Sequence, residues 1–311
     1  MKLVDGVLHS YSGLIPEYNK NIAQFRTLAT SLGEEFSLLD YRYFVIQMLY
    51  LVEYADYNSQ NKLGNGLVNG QSAKALIAET GVNRIIVSST NLYVGRIVGI
   101  GTDWASNSVA KDRKITKVEN YSDGNVSGKV IYFDGDPVNI AVNNTIWGSG
   151  QESGQCDELG MKSGCLINDS IHSMIYRGIE NIFGNMWQFV DGMNIKDRIM
   201  YLCKDHTKYK SDLFESPYKK LGYTNEDTNG YVKTLGFDPD EPLARFPIEV
   251  GAGASSGMSD YYWQNPGNRI ALVGGDFSNG ASCGFWCWNL RNDSSVAFVI
   301  GGCRVLIDNQ K

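Results

Sequence analysis

The stretch Ala271-Leu-Val-Gly-Gly-Asp-Phe-Ser-Asn-Gly-Ala-Ser-Cys-Gly-Phe-Trp-Cys-Trp-Asn-Leu290 decides how this chain reads. A polar turn at 292–295 follows it, and then Ile300-Gly-Gly-Cys-Arg-Val-Leu-Ile307. Glycines at 274, 275, 280, 284, 301 and 302 stand among Phe277, Phe285, Trp286 and Trp288. A core strand has little use for so many glycines, and a linker does not carry four large rings. The mixture predicts a strand-loop-strand surface. Aromatic rings supply contact area at low entropy cost, while Gly, Ser and Asn let the backbone bend. Recognition therefore stands ahead of catalysis.

The rest of the composition sets bounds. The 311 residues are 43% hydrophobic and 12% aromatic, enough for a substantial core. A net charge of -6 leaves no basic stripe for phosphates and argues against nucleic acid. Residues 1–5 lack the apolar core of a signal peptide, and no run reaches membrane-spanning length, so manufacture in a cytoplasm without membrane insertion is expected. The six cysteines include no Cys-x-x-Cys pair. Cys156 and Cys165 are close enough in sequence to bridge, but reduced thiols are the default without a secretory signal. Three histidines at 9, 172 and 206 sit at no metal-ligand spacing from a cysteine pair.

Working backwards from the C-terminus, residues 204–268 are polar and irregular. Before them, Asn185, Trp187, Phe189 and Asp191 alternate with Met186, Gln188 and Val190, as in a strand with two different faces. Residues 93–147 hold short β-type runs at 94–100, 115–121, 128–133 and 138–142, which predict an inserted β subdomain. Two helices are expected near the start. One covers 19–32, with Ile22, Phe25, Leu28, Ala29 and Leu32 on one stripe. The other covers 40–61, with Phe44, Met48, Leu51, Val52 and Ala55 at helical spacing. Residues 1–15 read as an extended lead-in. The expected organisation is a helical part at 1–92, the insert at 93–147 and a core at 148–311.

Gly184-Asn-Met-Trp-Gln-Phe-Val-Asp-Gly192, paired with Val273-Gly-Gly-Asp-Phe277 and the terminal Ile-Gly-Gly-Cys-Arg304, resembles the formylglycine-generating-enzyme branch of the C-type lectin fold. Within it, the chain is most similar to the phage and viral variable proteins of diversity-generating retroelements. The resemblance covers roughly residues 36–92 and 150–308 by eye. It implies an α+β fold, a C-type lectin core with N-terminal helices and an inserted small β subdomain. It also implies that a retroelement rewrites adenines in the segment encoding about 271–307, so that one face becomes a hypervariable ligand-binding surface. Carried over position by position, that face holds Val273, Asp276, Phe277, Ser278, Ser282, Phe285, Cys287, Arg291, Val296 and Phe298. All are reachable from an AAC codon by changing adenines, except that the family's aromatic at Phe277 can be fixed. Tryptophan is not reachable, so Trp286 and Trp288 join Gly184, Asn185, Trp187, Gly274 and Gly275 as scaffold. The implied partner is a host cell-surface protein or glycan, met by a protein displayed on a virion such as a phage tail, as a homo-oligomer or within a larger assembly.

Other chemistries fit less well. A formylglycine-generating oxidase needs a close cysteine pair, and Cys283 and Cys287 lie in the right neighbourhood at the wrong spacing, with no His or Lys between 270 and 304 to activate a thiol. A structural phage tail module without diversification is a further alternative. A sugar-binding calcium site wants an acidic loop, but Gln264-Asn-Pro266 runs in the wrong order and Trp288-Asn-Leu290 lacks the acid. No cofactor is expected, and a structural calcium elsewhere is left open. Glu180, Asn181 and Asp191 read as loop-fixing groups. Asp238, Asp240 and Glu241 read as a solvated turn, and 251–257 as a flexible loop without the lysine of a phosphate loop.

Overall fold

The structure is a computed structural model that describes residues 1–253, 255 and 257–308. It forms two compact units, Asn69–Glu152 and the combination of Met1–Val68 with Ser153–Lys311. The smaller unit begins well before residue 93, because strands Ser72–Lys74, Glu79–Val82 and Arg84–Val87 belong to it.

That unit is built on a six-stranded sheet. Its order is Ser72–Lys74, Thr145–Gly148, Ile97–Gly101, Ala110–Ser122, Ser127–Phe133 and Arg84–Val87. A single bridge between Ala75 and Val87 draws its two edge strands together, so the sheet curls strongly. Ile85, Val98, Ile100, Ile115, Ile131 and Ile146 fill its interior.

The larger unit is organised by a nine-stranded sheet. Its central pair is Trp187–Lys196 against Asn268–Gly274, antiparallel, with Gly284–Leu290 beyond it. Tyr261–Gln264, Gly230–Leu235 and Pro247–Val250 continue one side, and Ile199–Leu202 and Lys219–Lys220 the other. Gly301–Gly302 adds a short parallel partner to Trp187–Lys196. Both faces of the sheet are covered. Helix Tyr43–Tyr54 lies over one, packing Tyr43, Phe44 and Tyr50 against Phe285, Trp286 and Trp288. Helix Ile22–Thr30 lies over the other, packing Phe25 and Ala29 among Phe189, Leu272 and Cys287.

These elements correct the α+β lectin expectation. The chain is mostly β, at 36% strand and 11% helix. Three α-helices of 9, 12 and 5 residues occur among the described residues. The supposed lead-in is a hairpin, Lys2–Val4 with Val7–His9. Phe36–Leu38 is a strand paired with Val305–Ile307. The helix expected at 40–61 stops at Tyr54, where Ala55 turns left-handed at φ 51°. Asn58 then accepts the backbone N–H groups of Gln60 and Asn61 and starts the separate helix Ser59–Leu63. A short polar side chain has outcompeted helical continuation there.

Candidate functional site

The strand Gly284–Leu290 carries most of the residues expected at the surface, and the structure buries it. Phe285 is fully buried, with ring centroids of Tyr50 at 4.9 Å, Tyr176 at 5.4 Å and Phe183 at 6.0 Å. Its carbonyl accepts from Tyr43 Oη at 3.1 Å and Gln47 Nε2 at 2.6 Å. Cys287 is buried on the opposite face among Phe189, Ile270 and Leu272. Val273 is buried between Gln188 and Trp288 in the sheet register. Phe277 is buried, and its N–H donates to the Asn185 carbonyl at 3.1 Å.

Asp276 is buried too, and its task is local. Its Oδ1 accepts Ser278 N–H at 2.7 Å and Ser278 Oγ–H at 2.6 Å, and its carboxylate also takes a hydrogen bond from Trp187. Burial raises its pKa, against those three bonds. The expected open face at Val273, Asp276, Phe277, Phe285 and Cys287 is therefore core. A sheet covered on both sides has no outward row at this point. Of the other expected contacts, Ser278 and Arg291 are exposed, while Ser282, Val296 and Phe298 are partly exposed.

Gly184, Asn185, Trp187, Gly274, Gly275, Trp286 and Trp288 are all buried. Gly274 and Gly275 have φ of 94° and 80°, a conformation that L side chains rarely adopt. The Gly274 carbonyl accepts Gly184 N–H at 3.1 Å, so the two glycine segments interlock. Asp191 sits where the register of Trp187–Lys196 shifts, and it pairs with Arg26 Nε at 2.6 Å and Nη2 at 2.7 Å. Asp238, expected in solvent, is buried and accepts the N–H groups of Gly222 at 2.7 Å and Asp240 at 2.9 Å. In the glycine-rich loop, Ala254 and Ser256 lie outside the described residues.

The cysteines are all free thiols. Burial pushes Cys283 and Cys287 well above the ordinary thiol range, with Asp276 and Asp260 nearby adding to it for Cys283. Cys283 Sγ is spent on the Asp276 carbonyl at 3.2 Å. A nucleophilic or redox role needs thiolate, and this environment suppresses it.

The surface that remains is a row of rings that sequence reading passed over. Strand Tyr261–Gln264 alternates strictly: Tyr262 and Gln264 are buried, while Tyr261 and Trp263 are partly exposed. Trp263 stands 5.6 Å from Trp187 and 4.6 Å from Tyr261, and Tyr261 stands 5.0 Å from Tyr231 on the neighbouring strand. Tyr231 is partly exposed as well. Trp263 belongs to the same layer as Val296 and Phe298. The segment 291–299 is tied beside it: Asn265 Nδ2 donates to the Arg291 carbonyl at 3.4 Å, and Ile270 N–H donates to the Asn292 carbonyl at 3.0 Å. The available signal was the run Tyr261-Tyr-Trp-Gln264, too short to stand out inside a long polar segment.

No family model matches the chain, and no curated protein matches it closely enough to count as a relative. No helix among the described residues is long and apolar enough to cross a membrane.

Proposed function

We propose that this protein is a recognition module, not an enzyme, and that it binds a host cell-surface protein or glycan through the ring row Tyr231, Tyr261 and Trp263 with the adjoining segment 291–299. The observation that carries the reading is the row itself. Three partly exposed rings continue from the buried Trp187 at spacings of 4.6–5.6 Å on a braced sheet. Rigid aromatic side chains of this kind dominate binding energy because little freedom is lost when they are covered. Arg291 and the polar residues 292–295 supply the hydrogen-bonding rim. The suppressed thiols at 283 and 287 favour this reading over the oxidase.

The retroelement reading belongs to the same proposal in a narrower form. Exchange at limited cost to the fold is confined to Ser278, Ser282, Arg291, Val296 and Phe298, and costs more at Val296 and Phe298, which pack against the core. Display on a phage or other virion, singly or as a homo-oligomer, follows from the same resemblance. The neighbouring DNA tests it. A second copy of the segment encoding about 271–307, differing mainly at adenines in those five codons, supports diversification. No such copy, or differences concentrated in the codons for Phe285 and Cys287, counts against it. For binding, an array of surface glycans and surface proteins probed with the full chain should give at least one ligand. Trp263→Ala should weaken that ligand about tenfold or more. An unchanged affinity removes the ring row from the site.

A further inference from the structure

The larger unit holds a cavity of about 440 Å³, walled by the N-terminal hairpin, the loop after Ser153, Glu180, the start of the strand Trp187–Lys196 at Gln188, and Arg304 between Gly301–Gly302 and Val305–Ile307. Its chemistry is unusual for a structural void. Arg304 donates Nε to Gln188 Oε1 at 2.9 Å, and Nη2 to the carbonyls of Glu180 at 2.7 Å and Asn181 at 3.3 Å. All three acceptors are neutral, and no carboxylate pairs with this guanidinium among the described residues. Burial lowers its pKa, and the Glu180 charge, followed by Cys303 and Tyr43, opposes that. A buried cation with no carboxylate in direct contact is costly, and an anion arriving at it offsets that cost.

The same wall carries acceptors in search of donors. The Glu180 carboxylate is held by the N–H groups of Gly154, at 2.7 Å from Oε2, and of Gln155 and Cys156, while the buried Oε1 is left unsatisfied. Asn181 is 8% exposed; its Nδ2 donates to Ser173 Oγ at 3.0 Å, and its Oδ1 has no partner. A guanidinium with no carboxylate hydrogen-bonded to it therefore lines a space large enough for a small molecule, and two buried, unsatisfied acceptors lie within the wall behind it.

We propose that this cavity binds a small polyhydroxylated carboxylate, such as the acidic sugar at the end of a glycan. Its carboxylate faces Arg304, and its hydroxyls lie against the polar wall formed by Glu180 and Asn181. The site is independent of the ring row and stands if that row binds nothing. Burial raises the Glu180 pKa, against the backbone N–H groups that hold its carboxylate.

Titration calorimetry and ligand-observed NMR on the full chain test this with D-glucuronate and N-acetylneuraminate, against D-glucose and acetate. At least one acidic sugar should bind with a Kd of about 1 mM or tighter, and both controls should be about tenfold weaker or worse. Arg304→Gln should weaken the acid about tenfold. Because Arg304 also braces backbone carbonyls, Ser10→Trp at the exposed rim serves as a second variant; it should block the cavity while leaving the melting temperature unchanged. The proposal falls if neither acid binds at about 10 mM, if glucose or acetate binds as tightly, or if folded Ser10→Trp keeps wild-type affinity.

Discussion

At the residue scale, burial decides what each aromatic and acid in the C-terminal segment can do. Phe285 meets five rings at centroid distances of 4.9–6.4 Å, so Phe285→Ala should cost about 3–5 kcal/mol in denaturant unfolding. Arg291→Ala, on an exposed side chain, should fall within about 0.5 kcal/mol of wild type. Equal losses would mean that the two positions share one environment. Asp260 gives a pH signature. It is completely buried, accepts Trp286 N–H at 2.7 Å through Oδ2 and leaves Oδ1 unpaired. Burial raises its pKa well above normal. Folding therefore favours its protonated form, so its contribution is full below the unfolded value of about 3.9 and is lost as pH rises. Asp260→Asn should stabilise the protein at pH 7 relative to pH 4, compared with wild type at each pH. Parallel pH profiles for the two proteins would show that the carboxyl stays as solvated as in the unfolded chain.

At the element scale, tight backbone turns hold the central strands in place. Gly275 has φ of 80°, and a Cβ there would lie 2.5 Å from Cys283 Sγ. Gly275→Ala should therefore cost about 2–4 kcal/mol, from strain plus overlap, as read by thermal and urea unfolding. A neutral result would mean that the turn has another conformation. This glycine also shows why the segment was hard to read. In sequence, glycines among serines and rings look like a pliable exposed loop; in the fold, the missing side chains let strands approach each other and let Asp260 reach the Gly284 backbone. The amphipathic helices were easier. Ile22, Phe25 and Ala29 repeat at helical spacing and lie buried on the helix Ile22–Thr30. Tyr261 and Trp263 escaped notice because two outward residues in a four-residue strand make no periodic signal.

At the scale of the whole molecule, two cores coexist in one chain. The unit Asn69–Glu152 curls its own sheet around its own apolar interior. Residues 69–152 expressed alone should melt cooperatively, and a fragment without a cooperative transition would make that core dependent on the rest. The β runs at 94–100, 115–121 and 128–133 were visible as sequence, since turn residues bracket them, but the strands at 72–87 were not, since they are short and lie near predicted helices. The larger unit divides its labour within a single strand: Tyr262 faces the core and Tyr261 faces outward. The most direct measurement compares Tyr262→Ala with Tyr261→Ala, using thermal unfolding and binding to a ligand found on the surface array. Tyr262→Ala should lose about 3–5 kcal/mol of stability. Tyr261→Ala should melt near wild type and bind about tenfold more weakly. If Tyr261→Ala binds like wild type, or unfolds as readily as Tyr262→Ala, the outward face of this strand is not a recognition surface.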